Sequence, residues 1–176
     1  MTSPSEDELR RLTDDTRRAD AIESRRRELW LRRQAEEEGT FHGILVDLAE
    51  RQGTMAMQTR AGRVVRGRAV TLGADFVALA GAQDGTVLVP LQMVTAVSPE
   101  PGTLPSAGDR AETTSTSFAN AVADLAADRP TVTVYTHGSG RVTGTLWSVG
   151  QDFGVVRAPA GDTYVPFAAV NDLTWL

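Results

Sequence analysis

The sequence predicts an α+β protein that is mainly β, built from two small five-stranded barrels in tandem. Each barrel is preceded by a short helix, and a charged helix lies at the N-terminus. Two observations predict the barrels: residues 39–98 and 117–176 each pass from helical to alternating apolar spacing, and the second stretch repeats the first. A third predicts the N-terminal helix: residues 1–38 are dense in charge and poor in apolar side chains.

Composition narrows the class of protein. The 176 residues are enough for one ordinary domain or two very small ones. With 41% hydrophobic residues and no long apolar run, we expect no membrane span and, since the N-terminus is acidic and polar, a cytoplasmic location. The absence of cysteine removes disulfides and thiolate sites, and the net charge of −5 argues against a broad nucleic-acid-binding surface.

The N-terminal arm, residues 1–38, has the charge pattern of an exposed helix. Acidic residues repeatedly precede arginines by four positions, as in Glu6/Arg10 and Glu23/Arg27. Its few apolar residues do not sustain a coiled-coil seam. Two interpretations remain open: a solvated helix, or a helix that docks on a partner through Leu29 and Trp30.

The first barrel begins at Gly39, with Thr40 placed to cap a helix. An apolar stripe at helical spacing follows: Phe41, Ile44, Leu45 and Leu48. From Gln52 to Val97 the apolar residues alternate between turn glycines, which is typical of β structure. Residues 99–116 are rich in proline, glycine and small polar residues, so they predict a flexible linker before the second barrel.

The two halves register when the sequence is shifted by 77 positions, or by 76 after a one-residue deletion. The matched pairs include Thr40/Ser117, Phe41/Phe118, Gly67/Gly144, Asp75/Asp152 and Pro90/Pro166. Glycine in a strand interior indicates a bend where a side chain would clash. The aspartates follow a glycine by two residues, as in a hairpin turn, and the prolines precede a last short turn. These residues are interpreted as specifying the fold.

These features resemble the Sm-like fold: a leading helix, five strands, a glycine in the bent second strand and Gly-x-Asp before the third. The segments that carry the resemblance lie within residues 41–98 and 118–174, and the chain also looks like uncharacterised two-barrel proteins of high-GC bacteria. Sm-like proteins typically bind single-stranded RNA. Here, no asparagine follows Asp75 or Asp152, and no basic residue lies in the late loops. The resemblance therefore implies the fold without its RNA site.

No constellation for catalysis is found. His42 and His137 have no partner at metal-ligand spacing, and His137-Gly138-Ser139-Gly140 is typical of a hairpin turn rather than an activated serine. We therefore predict a protein that is not an enzyme and has no cofactor and no metal.

The function predicted is a scaffold or adaptor that binds proteins through barrel edges and the N-terminal helix, with self-association as one form of this. The segments that lead into these edges are Thr86–Val89 in the first barrel and Tyr164–Val165 in the second. The alternative is weak RNA or DNA binding by an arginine-rich hairpin of the first barrel, where four arginines could neutralise several phosphates. They are Arg60, Arg63, Arg66 and Arg68. A small-molecule sensor between the barrels is a third, less favoured reading.

Overall fold

The computed structural model describes residues 25–30, 40–51, 53–81, 85–100 and 112–175. The chain divides into two compact units, Met1–Gly43 and Ile44–Leu176. In the first, residues 25–30 are helical (α1), whereas the rest of the predicted arm up to residue 38 lies outside the described residues. The predicted cap is confirmed, because the Gly43 amide donates to Thr40 Oγ1 at 3.0 Å.

The protein is α+β and mainly β, as predicted. Two further helices are α2 (Phe41–Glu50) and α3 (Phe118–Ala127). The strands of the first half are β1 (Thr54–Thr59), β2 (Val64–Leu72), β3 (Phe76–Ala80), β4 (Thr86–Pro90) and β5 (Val94–Pro99). After β6 (Glu112–Thr113), those of the second half are β7 (Thr131–Thr136), β8 (Arg141–Val149), β9 (Phe153–Ala158), β10 (Gly161–Pro166) and β11 (Val170–Trp175). Short 3-10 turns lie at Leu91–Met93, His137–Ser139 and Phe167–Ala169.

The eleven strands of the described residues belong to one open sheet, in the order β10-β9-β8-β7-β11-β4-β3-β2-β1-β5, with β6 beside β2. The expectation was two separate barrels, but the halves share a sheet because β11 pairs antiparallel with β4. The order β4-β3-β2-β1-β5 of the first half recurs as β10-β9-β8-β7-β11 in the second. The registers recur as well: Met55 lies opposite Gly67, and Val132 opposite Gly144.

The end of the predicted linker is tied to the first half. Strand β6 runs parallel to β2. The Thr114 amide donates to the Leu72 carbonyl at 2.9 Å, and the Ala74 amide donates to the Thr116 carbonyl at 3.0 Å. Residues 101–111 of the linker lie outside the described residues. Residues 112–116 therefore lead into α3 along a fixed path.

Two apolar cores lie along the sheet. One is formed by the first half, around Leu45 and Ala49 of α2 and Met55, Met57 and Leu79 of the sheet. Phe41 and Ile44, which the helical spacing placed on the core-facing stripe, are 43% and 52% exposed. The other core belongs to the second half, around Phe118 and Val122 of α3, and it also includes three residues of β3 and β4. These are Phe76, Ala78 and Leu88.

The two strand glycines face backbone, as the predicted bend requires. A Cβ on Gly67 would lie 2.6 Å from the Ala80 carbonyl oxygen, and one on Gly144 would lie even closer to the Arg157 carbonyl oxygen. Because backbone cannot move aside as a side chain does, we expect Gly67→Ala to lower the free energy of unfolding by about 1–3 kcal/mol in denaturant titration.

The matched control is Gly53→Ala. A Cβ there meets no heavy atom within 4 Å, and the glycine has no positive φ. Its free energy of unfolding should stay within about 0.5 kcal/mol of the parent chain. Equal losses in the two variants would contradict the explanation of Gly67.

Candidate protein interaction surface

In the described structure the order of paired strands ends at β10 on one side and at β5 on the other, while the two-residue strand β6 pairs only with β2. The predicted edge at Thr86–Val89 is occupied, because β4 pairs with β11. The predicted edge at Tyr164–Val165 belongs to β10, which pairs on one side with β9. An outer strand presents backbone donors and acceptors that a further strand can pair with.

Hydrogen bonds at the strand ends show which residues face outward. The Phe167 amide donates to the Asp152 carbonyl, so alternation along β10 turns the backbone groups of Asp162 and Tyr164 away from β9. The Glu100 amide donates to the Thr54 carbonyl, so the backbone groups of Val97 turn away from β1.

The surface beside β10 combines an exposed aromatic with a fixed ion pair. Tyr164 is 66% exposed and its ring lies 5.9 Å from that of Phe153. Arg157 donates to both carboxylate oxygens of Asp162, at 2.7 and 2.9 Å. These hydrogen bonds lower the pKa of Asp162 and raise that of Arg157. The guanidinium groups of Arg157 and Arg129 lie over the Trp147 ring, 3.7 and 3.9 Å from its centre.

The two partner contacts predicted on the N-terminal helix lie on exposed surface. Leu29 and Trp30 are 61% and 62% exposed within α1. Exposed apolar residues are ordinary on protein surfaces, so docking through this adjacent pair stays a prediction.

The four arginines predicted as nucleic-acid contacts have different environments in the structure. Arg60 is exposed in the turn after β1, whereas Arg66 pairs with Glu100 at 3.1 Å. Arg68 is half-buried in β2 and also has an interaction partner. Arg63 reaches across to the second half, where its Nε lies 3.0 Å from Asp172 Oδ2.

Arg63 and Asp172 form a partly buried ion pair between the halves. Asp172 is fully buried, and the Arg63 guanidinium also stacks 3.3 Å from the ring centre of Tyr135. Burial raises the pKa of Asp172 more than Arg63 lowers it. Its Oδ1 has no hydrogen-bond partner among the described groups, and neither does the side chain of the neighbouring Asn171. The carboxylate therefore depends on Arg63 for its compensation.

The repeated turn residues also connect the halves. The Asp75 side chain accepts a hydrogen bond from the Phe118 amide at 2.6 Å, at the start of α3. Ser117 completes the cap by accepting from the Asn120 amide at 3.3 Å. The backbone carbonyls of Asp75 and Asp152 accept from the residues after Pro90 and Pro166, at 2.8 Å each. Sequence repetition identified these residues, but not that Asp75 caps the helix of the other half.

His42 lies in α2, and His137 lies in the turn between β7 and β8. In the described part of the chain, no cluster of three or more histidine, aspartate or glutamate side chains is arranged to hold a metal ion. Nor does any helix within those residues have the length and apolar character of a membrane span.

No family model matches the chain, and a search of curated proteins finds no significant relative. The surfaces themselves therefore provide the argument for function.

Proposed function

We propose that this protein is a non-enzymatic scaffold that binds other proteins through the outer strands of its sheet and through helix α1. The observation that carries the proposal is the pairing of β11 with β4. One edge of this architecture is already used to join two folded halves, while the corresponding edge of the second half, β10, has no neighbour on its outer side in the described structure.

Within this proposal, the halves are two Sm-like barrels that have merged into one sheet. In each half a helix precedes five strands, and the second strand contains a glycine packed against backbone. Gly-x-Asp precedes the third strand and a 3-10 turn joins the last two. These features support the fold assignment, and the assignment supports a role in assembly.

The charges of the arginine-rich hairpin favour the scaffold over nucleic-acid binding. Arg63 and Arg66 are both held by carboxylates. A phosphate would have to displace these carboxylates, and the hairpin offers no aromatic platform for bases. The protein also carries a net charge of −5, which opposes accumulation on a polyanion.

Site-specific photo-crosslinking in cells tests the proposal. A photoreactive amino acid is placed at Tyr164 on β10, at Val97 on β5 or at Trp30 on α1, with Asp128 as an exposed control position at the end of α3. We expect discrete protein adducts from at least one of the first three positions and none from the control. A chain that yields no protein adduct from any of them would refute the scaffold.

A second measurement addresses the nucleic-acid alternative. Fluorescent single-stranded RNA and DNA are titrated with the purified chain at low salt. We expect no binding that depends on Arg60, Arg66 and Arg68. Salt-dependent binding lost on changing these three to serine would replace the scaffold with the nucleic-acid function. Arg63 is left intact in that variant because it holds Asp172.

A further inference from the structure

We infer that the exposed arginines around Trp147 form a binding site for the carboxylate or phosphate group of a small molecule. The side chains of this Trp147 site come from β8, the end of α3, β9 and β10; they are Trp147, Arg129, Arg157 and Asp162. The site uses side chains of the second half rather than the backbone of an outer strand, so it goes beyond the proposed function and does not rest on it.

Trp147 lies at a β-bulge of strand β8. The pairing of β8 with β9 shifts between Leu146 and Ser148, which makes Trp147 the extra residue, and a bulge of this kind redirects a side chain. Its counterpart in the first half, Val70, lies at the same shift in β2. The bulge therefore belongs to the repeated fold, whereas the tryptophan with two guanidinium groups over its ring belongs to the second half.

Arg129 is held in a backbone conformation that arginine rarely adopts. Among the described residues other than glycine, it alone has a positive φ, of 48°. It follows Asp128, the last residue of the α3 cap, at a position where glycine is preferred because it has no Cβ to strain. Its amide donates to the Ala126 carbonyl at 3.1 Å, and the following residue, Pro130, accepts from the Leu146 amide at 2.9 Å. The backbone here favours glycine, so the reason for an arginine lies in its side chain.

The two guanidinium groups differ in whether a carboxylate is bound to them. Arg157 donates to both carboxylate oxygens of Asp162, at 2.7 and 2.9 Å, while it lies over the Trp147 ring. The exposed guanidinium of Arg129 lies over the same ring, but it has no hydrogen-bond partner within the part of the chain that the structure describes. Arg129 therefore repeats the arrangement of Arg157 with its carboxylate missing.

The charges of the site favour a single small anion. Two arginines and one aspartate give an excess of one positive charge, and the two cations share one ring. An anion on Arg129 balances this charge as Asp162 balances that of Arg157. A polyanion is less suitable, because Asp162 and the neighbouring Asp128 repel its further phosphates and the whole chain has a net charge of −5.

The geometry of arginine defines the chemical class of the ligand. A guanidinium presents two parallel N–H groups, which match two oxygens of a carboxylate or of a phosphate. The stack on Trp147 and the fixed backbone of Arg129 limit the movement of this group before a ligand arrives. Less conformational freedom is therefore lost on binding than at an unrestrained surface arginine.

Heteronuclear NMR titration of the full chain tests the site. Sodium succinate and sodium phosphate are added separately while sodium chloride keeps the ionic strength constant, and the indole N–H of Trp147 and the Nε–H of Arg129 are followed. We expect saturable shifts of both signals, with a dissociation constant of about 1 mM or lower for at least one anion. Saturation by succinate alone assigns a carboxylate ligand, and saturation by phosphate alone assigns a phosphate ligand.

Three variants separate binding from folding. Arg129→Lys keeps the charge but loses the two parallel donors, so the dissociation constant should rise at least about tenfold. Arg129→Gly should abolish binding, yet its thermal midpoint should shift by no more than about 3 °C, because relief of the backbone strain offsets the lost stack. Arg141→Gln, at the exposed first residue of β8, is the matched control and should leave the dissociation constant unchanged.

Three results would overturn the inference. The first is shifts that grow without saturation and equal those in chloride, which indicate screening alone. The second is binding that survives Arg129→Gly. The third is a chain whose Arg129 and Trp147 signals respond to single-stranded RNA but to neither small anion, which would assign these arginines to a nucleic-acid surface. If neither anion binds and Arg129→Gly lowers the thermal midpoint, the arginine serves the helix end instead.

Discussion

Replacing Arg63 with alanine is expected to lower the free energy of unfolding by about 3–5 kcal/mol, because it leaves a buried carboxylate without its cation. Asp172 is fully buried, and Arg63 Nε, 3.0 Å away, is its hydrogen-bonding partner. The guanidinium also covers the ring of Tyr135. Removing it therefore costs a contact between the halves as well as a charge. Urea titration at neutral pH measures the loss.

Two variants separate the ion pair from its neighbourhood. Asp172→Asn should cost less than Arg63→Ala, because the arginine left behind is 36% exposed and can turn toward water. Arg60→Ala removes an exposed arginine of the same hairpin and should change the free energy of unfolding by at most about 0.5 kcal/mol. If Arg60→Ala and Arg63→Ala were equally destabilising, the ion pair would not explain the effect.

The same pair predicts a dependence on pH. Burial raises the pKa of Asp172 above its ordinary value. The carboxyl group of Asp172 therefore binds a proton more tightly in the folded chain than in the unfolded chain. The contribution of Asp172 to the free energy of unfolding is therefore fully present at a pH below the ordinary aspartate pKa. It is lost as the pH rises through the raised pKa that Asp172 has in the folded chain. Without Arg63 the pKa of Asp172 rises further, so the loss in Arg63→Ala should shrink in acid. A loss that did not change with pH would contradict this account.

Truncating Phe118 to alanine is expected to lower the free energy of unfolding by about 3–5 kcal/mol. Its ring packs edge-on against Phe167 at 5.6 Å and against Phe76 at 6.4 Å. It thus joins the core of the second half to a strand of the first half, and its loss leaves a cavity where the halves meet. Thermal and denaturant unfolding of the pure chain measure the change.

Phe41→Ala is the matched control, since Phe41 occupies the corresponding position in the first half. It is 43% exposed, so its truncation should cost clearly less, about 1 kcal/mol. A loss as large as that of Phe118→Ala would mean that position in the repeat, rather than burial at the junction, sets the cost.

Local features of the fold were predictable because short-range physics sets them. Thr40 and Ser117 cap their helices as expected. The amides of the first helical turn have no partner within the helix, so the hydroxyl oxygen of the preceding residue accepts a hydrogen bond from one of them. Strands β1 to β4 lie within the stretch from Gln52 to Val97 where alternation predicted β structure. Gly67 and Gly144 both lie in strands against backbone, where only glycine fits.

Contacts between the halves were not predictable, because periodicity carries no information about which side chain meets which across the chain. The sequence placed Arg63 in an arginine-rich hairpin, but the structure pairs it with Asp172, which lies 109 residues later in the chain. It also placed Phe41 and Phe118 in equivalent stripes, although one is exposed and the other is buried. The exposure of a residue depends on which elements pack against it, and the sequence repeat does not show which elements those are.

The sequence by itself determined two similar halves, each with a capped helix, five strands and a glycine bend, because these depend on interactions among residues close along the chain. Only the tertiary structure decided that the halves share one sheet, that β11 covers β4, and that β10 and β5 are left as its outer strands. The physical reason is that edge pairing uses backbone groups, which every residue other than proline carries alike.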